Sequence, residues 1–155
     1  MAKFSVVHKD KKIVELAGKT GKITLAAWAI DCAERAMPYF EKKYPKDPRP
    51  REAITVLQTW IKTGIFKMAV IRKASLDSHA AARDVGEDTP ARSAARATSQ
   101  AVATAHVKTH SIAAANYALQ AVHRATGSDD AVAKEQEWQY QRLLNLRKKK
   151  LALLK

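Results

Sequence analysis

The chain has few of the features that would place it in an oxidising compartment, a membrane or a nucleotide-binding fold. Its 155 residues include one cysteine, Cys32, so no internal disulfide can form, which is typical of a reducing compartment. No apolar run approaches the roughly 18 residues of a membrane span, and the opening MAKFSVVHKDKK lacks a signal-peptide core. Glycine-rich phosphate loops, paired-cysteine motifs and nucleophile elbows are missing. We therefore expect a cytoplasmic protein without a membrane segment.

Acidic residues are also scarce, since 15 Asp and Glu oppose 28 Lys and Arg and the net charge is +13. The excess lies at the ends: residues 1–25 carry six lysines against two acids, and residues 139–155 carry six basic residues and no acid. Such ends attract nucleic acid or an acidic partner, or simply keep a protein soluble. We favour the last interpretation, because the basic runs hold few aromatic side chains on which bases could stack.

The alanine-rich stretch Thr89–Thr126 indicates the centre of an all-α domain. Alanine loses no side-chain entropy in a helix, and its small side chain lets neighbouring helices approach closely. Thr89 is expected to cap the helix start, with Pro90 in the first turn. One helix over the whole stretch would be unusually long, so we expect an interruption near Lys108–Ser111.

Apolar residues at helical spacing predict an antiparallel bundle of about six helices in a single domain. In the first long helix, beginning at Ile23, Pro38 is expected to cause a kink or a restart. The spacing of its apolar residues predicts a single core stripe of Ile23, Ala26, Ala27, Ile30, Ala33 and Met37. Gly64 is the expected C-cap of the helix that begins near Pro50, and Ser128 is the expected N-cap of the last helix. We divide the chain into an N-terminal extension, a helical domain and a basic tail that frays beyond Arg147, at residues 1–25, 26–146 and 147–155.

The segment 3–18 is compatible with two local structures. Phe4–Val7 and Ile13–Leu16 could pair as a small hairpin. Alternatively, Lys11–Ala17 could form a helical turn that ends at Gly18. Neither pattern is strong enough to decide between them.

Histidines four residues apart are the sharpest local pattern. On an unbroken helix His106 and His110 would share a face and could bind one metal ion. His79 could add a third ligand, and Asp31 or Glu34 a carboxylate. The metalloprotease pattern H-E-x-x-H is absent, and the expected helix interruption removes the shared face. We therefore favour hydrogen-bonded histidines at packed helix ends and predict no cofactor, with a metal-dependent hydrolase-like enzyme as the alternative.

Polar residues on the first long helix lead to two further expectations. Asp31 precedes Arg35 by four residues, the favourable order for an ion pair within a helix. Cys32 could act as a nucleophile with His79 or His106 as its base, but a single cysteine near a tryptophan is more often packed, so no catalytic residue is predicted. The three tryptophans are expected in the core or at groove edges: Trp28, Trp60 and Trp138.

Two runs resemble the all-α putative immunity protein family of bacterial polymorphic toxin systems. They are WAIDCAERAMPYFE, from Trp28 to Glu41, and ATAHVKTH, from Ala103 to His110. The resemblance extends over roughly residues 26–144, and its further motifs are Arg49–Ile54, His79–Arg83, Asn116–Val122 and Glu137–Leu143.

The resemblance implies a helical domain that binds a cognate toxin and blocks it. The basic ends would steer association, and the exposed faces of the predicted helices near residues 50–63 and 128–147 are candidate contact surfaces. A strongly basic protein suits an acidic toxin surface better than a nuclease. Polar residues inside the matching motifs suggest a shared buried network or a site with chemistry: Asp31, Arg35, His79, His106 and His110. A basic helical module that binds nucleic acid is a third interpretation.

Overall fold

The computed structural model describes residues 10–153, and these form helices and connecting loops without a strand. The predicted all-α class is confirmed. Seven helices are present in this range rather than about six, because the ambiguous N-terminal segment contributes one. They are α1 (Lys11–Gly18), α2 (Lys22–Glu41), α3 (Arg49–Thr63), α4 (Met68–Val85), α5 (Pro90–Ala103), α6 (His110–Thr126) and α7 (Asp129–Leu153). None of them is long and apolar enough to cross a membrane.

Helix α1 settles the choice left open for the segment 3–18. Asp10 caps it, because its Oδ1 accepts a hydrogen bond from Ile13 N at 3.1 Å. Ile13 and Ala17, four residues apart, are buried in the core. The helical alternative is therefore confirmed, and the hairpin is wrong for Ile13–Leu16; Phe4–Val7 lies outside the described residues.

Helix α2 is buried on two faces. Leu25, Trp28 and Cys32 belong to one core cluster, whereas Ala26 and Ile30 belong to a second one. A single-stripe interpretation of α2 misses this arrangement, because partners pack on both sides.

Two local expectations for α2 differ from the structure. Ile23, predicted in the core stripe, is 48% exposed in the first turn. The helix is continuous through Pro38 to Glu41, so a restart is not seen. Pro38 lies on the exposed side, where the carbonyl that loses its helical partner can reach water.

Helix α5 is the central helix, as the alanine content predicts. Nine of its 14 residues are buried, all of them alanine, serine, threonine or valine. Serine hydroxyl groups form hydrogen bonds between α5 and α4. Ser78 Oγ donates to Ala95 O at 2.9 Å, and Ser99 Oγ donates to Ser75 O at 2.9 Å. These bonds satisfy polar groups that tight packing would otherwise leave buried and unpaired.

The interruption in the alanine-rich stretch lies at residues 104–109, slightly before the predicted position. Lys108 bridges this loop to the α1–α2 connection through the carbonyls of Gly18 and Thr20, at 3.5 and 3.3 Å. Thr89 is the N-cap residue of α5, and Pro90 follows in the first turn, as predicted. The expected hydrogen bond from the Thr89 side chain is wrong, because its buried Oγ1 has no hydrogen-bond partner within residues 10–153. Its carbonyl instead accepts from Ser93 N at 3.3 Å.

Helix α7 begins as predicted and continues further than predicted. Ser128 Oγ accepts from Ala131 N at 3.1 Å, which confirms the cap. The helix runs through Arg147 to Leu153 instead of fraying. Arg147 Nη1 donates to Lys19 O at 2.9 Å and to Thr20 Oγ1 at 2.6 Å, so contact with the α1–α2 connection holds this turn.

Candidate functional site

The polar residues of the matching motifs lie in two separate groups. In the first group, on α2, Asp31 and Arg35 both bond to α7. Asp31 Oδ2 accepts from Arg142 Nε at 2.7 Å, and Arg35 donates to both oxygens of Glu135 at 2.6 and 2.8 Å. The predicted ion pair between Asp31 and Arg35 is therefore wrong, since α7 supplies each with a partner of opposite charge.

Tryptophans complete the junction between α2 and α7. The Arg35 guanidinium lies 4.0 Å from the ring centroid of Trp138. Trp28, fully buried, donates from Nε1 to Gln139 O at 2.8 Å. Gln139 Nε2 in turn donates to Ala115 O on α6 at 2.9 Å. These contacts fix α7 against α2 and α6.

Glu34, a candidate metal ligand, lies at the junction of α2 with α3. Arg51 donates to Glu34 and to both oxygens of Glu41, the latter at 2.6 and 3.1 Å. Both carboxylates therefore form ion pairs with the same guanidinium, and these pairs hold the start of α3 against α2.

The second group consists of the three candidate histidines, with His79 on α4, His106 in the loop after α5 and His110 at the start of α6. His79 Nδ1 lies 2.5 Å from Arg96 Nη1. Because a guanidinium only donates, this ring nitrogen is the acceptor. Burial, with Arg96, Arg83 and His110 nearby, lowers the pKa of His79 to about 4. His79 is therefore neutral at pH 7, and its Nδ1 is already occupied.

His110 and His106 differ in their surroundings. His110 Nδ1 lies 2.8 Å from Gln100 Oε1 and donates to it, and burial followed by the charge of His106 lowers its pKa. His106 is exposed and stacks on Phe66, with ring centroids 6.2 Å apart and planes 20° apart. Within residues 10–153, no three His, Cys, Asp or Glu side chains are grouped so as to hold a metal ion. The histidines are neighbours, but both candidate carboxylates are paired elsewhere with arginines.

Cys32, the candidate nucleophile, is fully buried. Burial, then the negative charges of Asp31 and Glu135, raises the pKa of its thiol well above the ordinary value. A reactive cysteine needs the opposite, an electropositive site that lowers the pKa. Its surroundings favour an unreactive, packed thiol.

An exposed apolar surface lies beside the histidines, and sequence reasoning missed it. We call it the α3–α4 apolar surface and define it by five residues, of which all but Trp60 are strongly exposed. Their exposed fractions are 64% for Ile65, 43% for Phe66, 47% for Val70 and 57% for Leu76. The available signal was the pair Ile65-Phe66 directly after Gly64, which is the predicted and observed C-cap of α3, with φ 69°.

A family model described as Imm-5 like putative immunity protein matches residues 15–146. The chain belongs to this family. Neither the curated proteins nor the solved structures contain a significant match to the chain. The family match therefore carries the functional comparison.

The motif residues that resemble this immunity protein family contact one another. The run Trp28–Glu41 bonds to Glu137–Leu143 through Trp28 and Asp31, and to the start of α3 through Glu41 and Arg51. Polar groups in these motifs thus join helices that are distant in sequence.

Proposed function

We propose that this protein is an immunity protein that binds a cognate bacterial toxin in the cytoplasm and neutralises it by contact, without catalysis. The observation that carries the proposal is membership of the Imm-5 like family across residues 15–146. An immunity protein of this kind needs a stable scaffold and an exposed recognition surface.

The environments of the candidate catalytic groups support binding rather than catalysis. Cys32 is buried with a raised pKa, and Asp31 and Glu34 are paired with arginines. General base or nucleophilic chemistry requires such groups within reach of a substrate. The two candidate carboxylates instead join helices, and the thiol of Cys32 is out of reach of a substrate.

Charge supports a toxin with an acidic surface. The net charge is +13, and complementary charge accelerates the encounter of two proteins and suppresses wrong partners. Mixing at low ionic strength should therefore give the fastest association, and added salt should slow it.

Co-expression with toxins encoded beside this gene tests the proposal. Bacteria that carry one such toxin should grow only when this protein is also present. The purified pair should form a complex with nanomolar-class affinity, and titration should abolish toxicity at a one-to-one ratio. Titration separates binding from catalysis, because an enzyme would inactivate many equivalents of toxin.

Metal dependence is checked in the same experiment. Neutralisation should be unchanged after EDTA treatment and in a His79→Gln variant that is still folded, because His79 is a candidate ligand that lies outside the three grooves described below. Loss of neutralisation in both cases, restored by one metal in the wild type, would favour the enzyme alternative. Failure to neutralise any of the neighbouring toxins would contradict the proposed function.

A further inference from the structure

We infer that the α3–α4 apolar surface is where the toxin docks, through an amphipathic segment with apolar side chains flanked by carboxylates. The inference rests on the proposed function for the identity of the partner. The chemistry of the docking segment is argued from the surface itself.

The surface is continuous across three adjoining grooves. The largest, of about 340 Å³, lies between α3 and the start of α4 and includes Trp60, Ile65 and Ile71. A second, of about 170 Å³, shares Ile71 and adds Leu76 and His106. A third, of about 180 Å³, shares Trp60 and His106 and adds Phe66. Single exposed apolar residues are ordinary, but contiguous ones mark interaction sites.

The aromatic and aliphatic content suits a protein partner. Trp60 and Phe66 offer rigid rings at the groove edges, and aromatic residues are enriched where interfaces concentrate their binding energy. Phe66 already stacks on His106 in the free protein, with ring centroids 6.2 Å apart. A preformed surface loses less entropy on binding than a mobile one.

Charge around the grooves specifies the partner further. The described residues that line the three grooves include Lys22, Lys67 and Arg72 and no acidic residue. Across residues 10–153, neither Lys67 nor Arg72 forms an ion pair, whereas Asp77 further along α4 is already paired with Lys73 at 2.5 Å. A segment that places carboxylates beside its apolar side chains would complement these cations. A second copy of this chain would bring like charges together.

A pair of synthetic peptides tests the surface without knowledge of the toxin. One is an amphipathic helix with leucines on one face and glutamates on the other; its counterpart has lysines in place of the glutamates. Fluorescence anisotropy with the full chain should detect binding of the glutamate peptide, weakened by added salt, and no binding of the lysine peptide. Equal affinity for both peptides, or no binding of either, would overturn the inference.

Matched valine variants locate the binding. Val70 and Val14 are both exposed and both lie in the first turn of a helix, at 47% and 37% exposure. Val70→Asp should weaken binding of the glutamate peptide at least tenfold, whereas Val14→Asp should leave it unchanged. Val70→Lys, which adds a positive charge where Val70→Asp adds a negative one, should weaken it less than Val70→Asp. Far-ultraviolet circular dichroism should show that all three variants are folded; equal effects of Val70→Asp and Val14→Asp would contradict the inference.

The same variants in the growth assay separate this inference from the proposed function. Neutralisation by Val14→Asp and not by Val70→Asp would support both. Full neutralisation by Val70→Asp would overturn the docking site and leave the immunity function standing. If the wild type neutralises no toxin, the proposed function fails and the peptide result decides the surface alone. A homodimer in light scattering that Val70→Asp dissociates would assign the surface to a second copy instead.

Discussion

Replacement of Trp28 by phenylalanine should destabilise the protein more than the same change at another tryptophan. Trp28 lies on α2 and is fully buried, and its indole Nε1 donates to Gln139 O of α7 at 2.8 Å. Phenylalanine fills most of the volume but removes this donor and leaves a small cavity. The substitution therefore weakens the attachment of α7 to α2.

The magnitude has two parts. A buried hydrogen bond contributes about 0.5–1.5 kcal/mol. Gln139 O lies inside α7, where a backbone N–H also bonds to it, so the carbonyl is not left bare. The lost ring atoms add a transfer and cavity contribution of about 1–2 kcal/mol. Together these predict a loss of about 1.5–3.5 kcal/mol in the free energy of unfolding for Trp28→Phe.

Urea unfolding followed by far-ultraviolet circular dichroism measures this loss. Trp60→Phe is the matched control, because Trp60 is only partly buried and its indole N–H has no hydrogen bond in the described part of the chain. The control should cost less than about 1 kcal/mol, typical of a surface substitution. If Trp28→Phe costs no more than Trp60→Phe, the assigned role of the Trp28 contact is wrong.

Two further predictions follow from pKa values. The pKa of His79 is about 4 in the folded protein and near 6.5 when unfolded, so the unfolded state binds more protons between these values. The contribution of His79 to stability should therefore be full above pH 6.5 and should be lost as the pH decreases towards 4. Urea unfolding across this range should show that the free energy of unfolding of His79→Gln depends less on pH than that of the wild type, by about 1 kcal/mol after allowance for the partial exposure of His79. An unchanged pH dependence in His79→Gln would contradict the assignment. Cys32 should not react with a thiol reagent in the native protein and should react fully in urea, because it is buried with a raised pKa; rapid native reaction would refute this.

Local patterns predicted the helices well where one rule decided the outcome. Gly64 ends α3 in a left-handed conformation, and Ser128 caps α7. The alanine-rich α5 is central because close packing excludes larger side chains. These features depend on a few neighbouring residues, which a sequence displays directly.

Long-range pairing could not be predicted in the same way. Asp31 has a suitable cation four residues later, yet its partner is Arg142, 111 residues along the chain. Both choices satisfy the same electrostatic rule, and only the packing of α7 against α2 decides between them. The exposure of Ile65 and Phe66 could not be predicted for a similar reason. Adjacent apolar residues usually indicate burial, and only the positions of the neighbouring helices show that these two are exposed.

The position of the α3–α4 apolar surface along the chain bears on how one scaffold could serve different toxins. Residues 60–76, which contribute its five defining side chains, lie between the motifs Arg49–Ile54 and His79–Arg83. The motif residues hold the helices together, as Arg51 does with Glu34 and Glu41. Packing contacts of this kind have to be kept in any member of the family that folds this way, whereas a recognition surface has to differ with its partner. The five defining side chains lie outside these motifs and can therefore change without loosening the bundle, as the proposed recognition of a particular toxin would require.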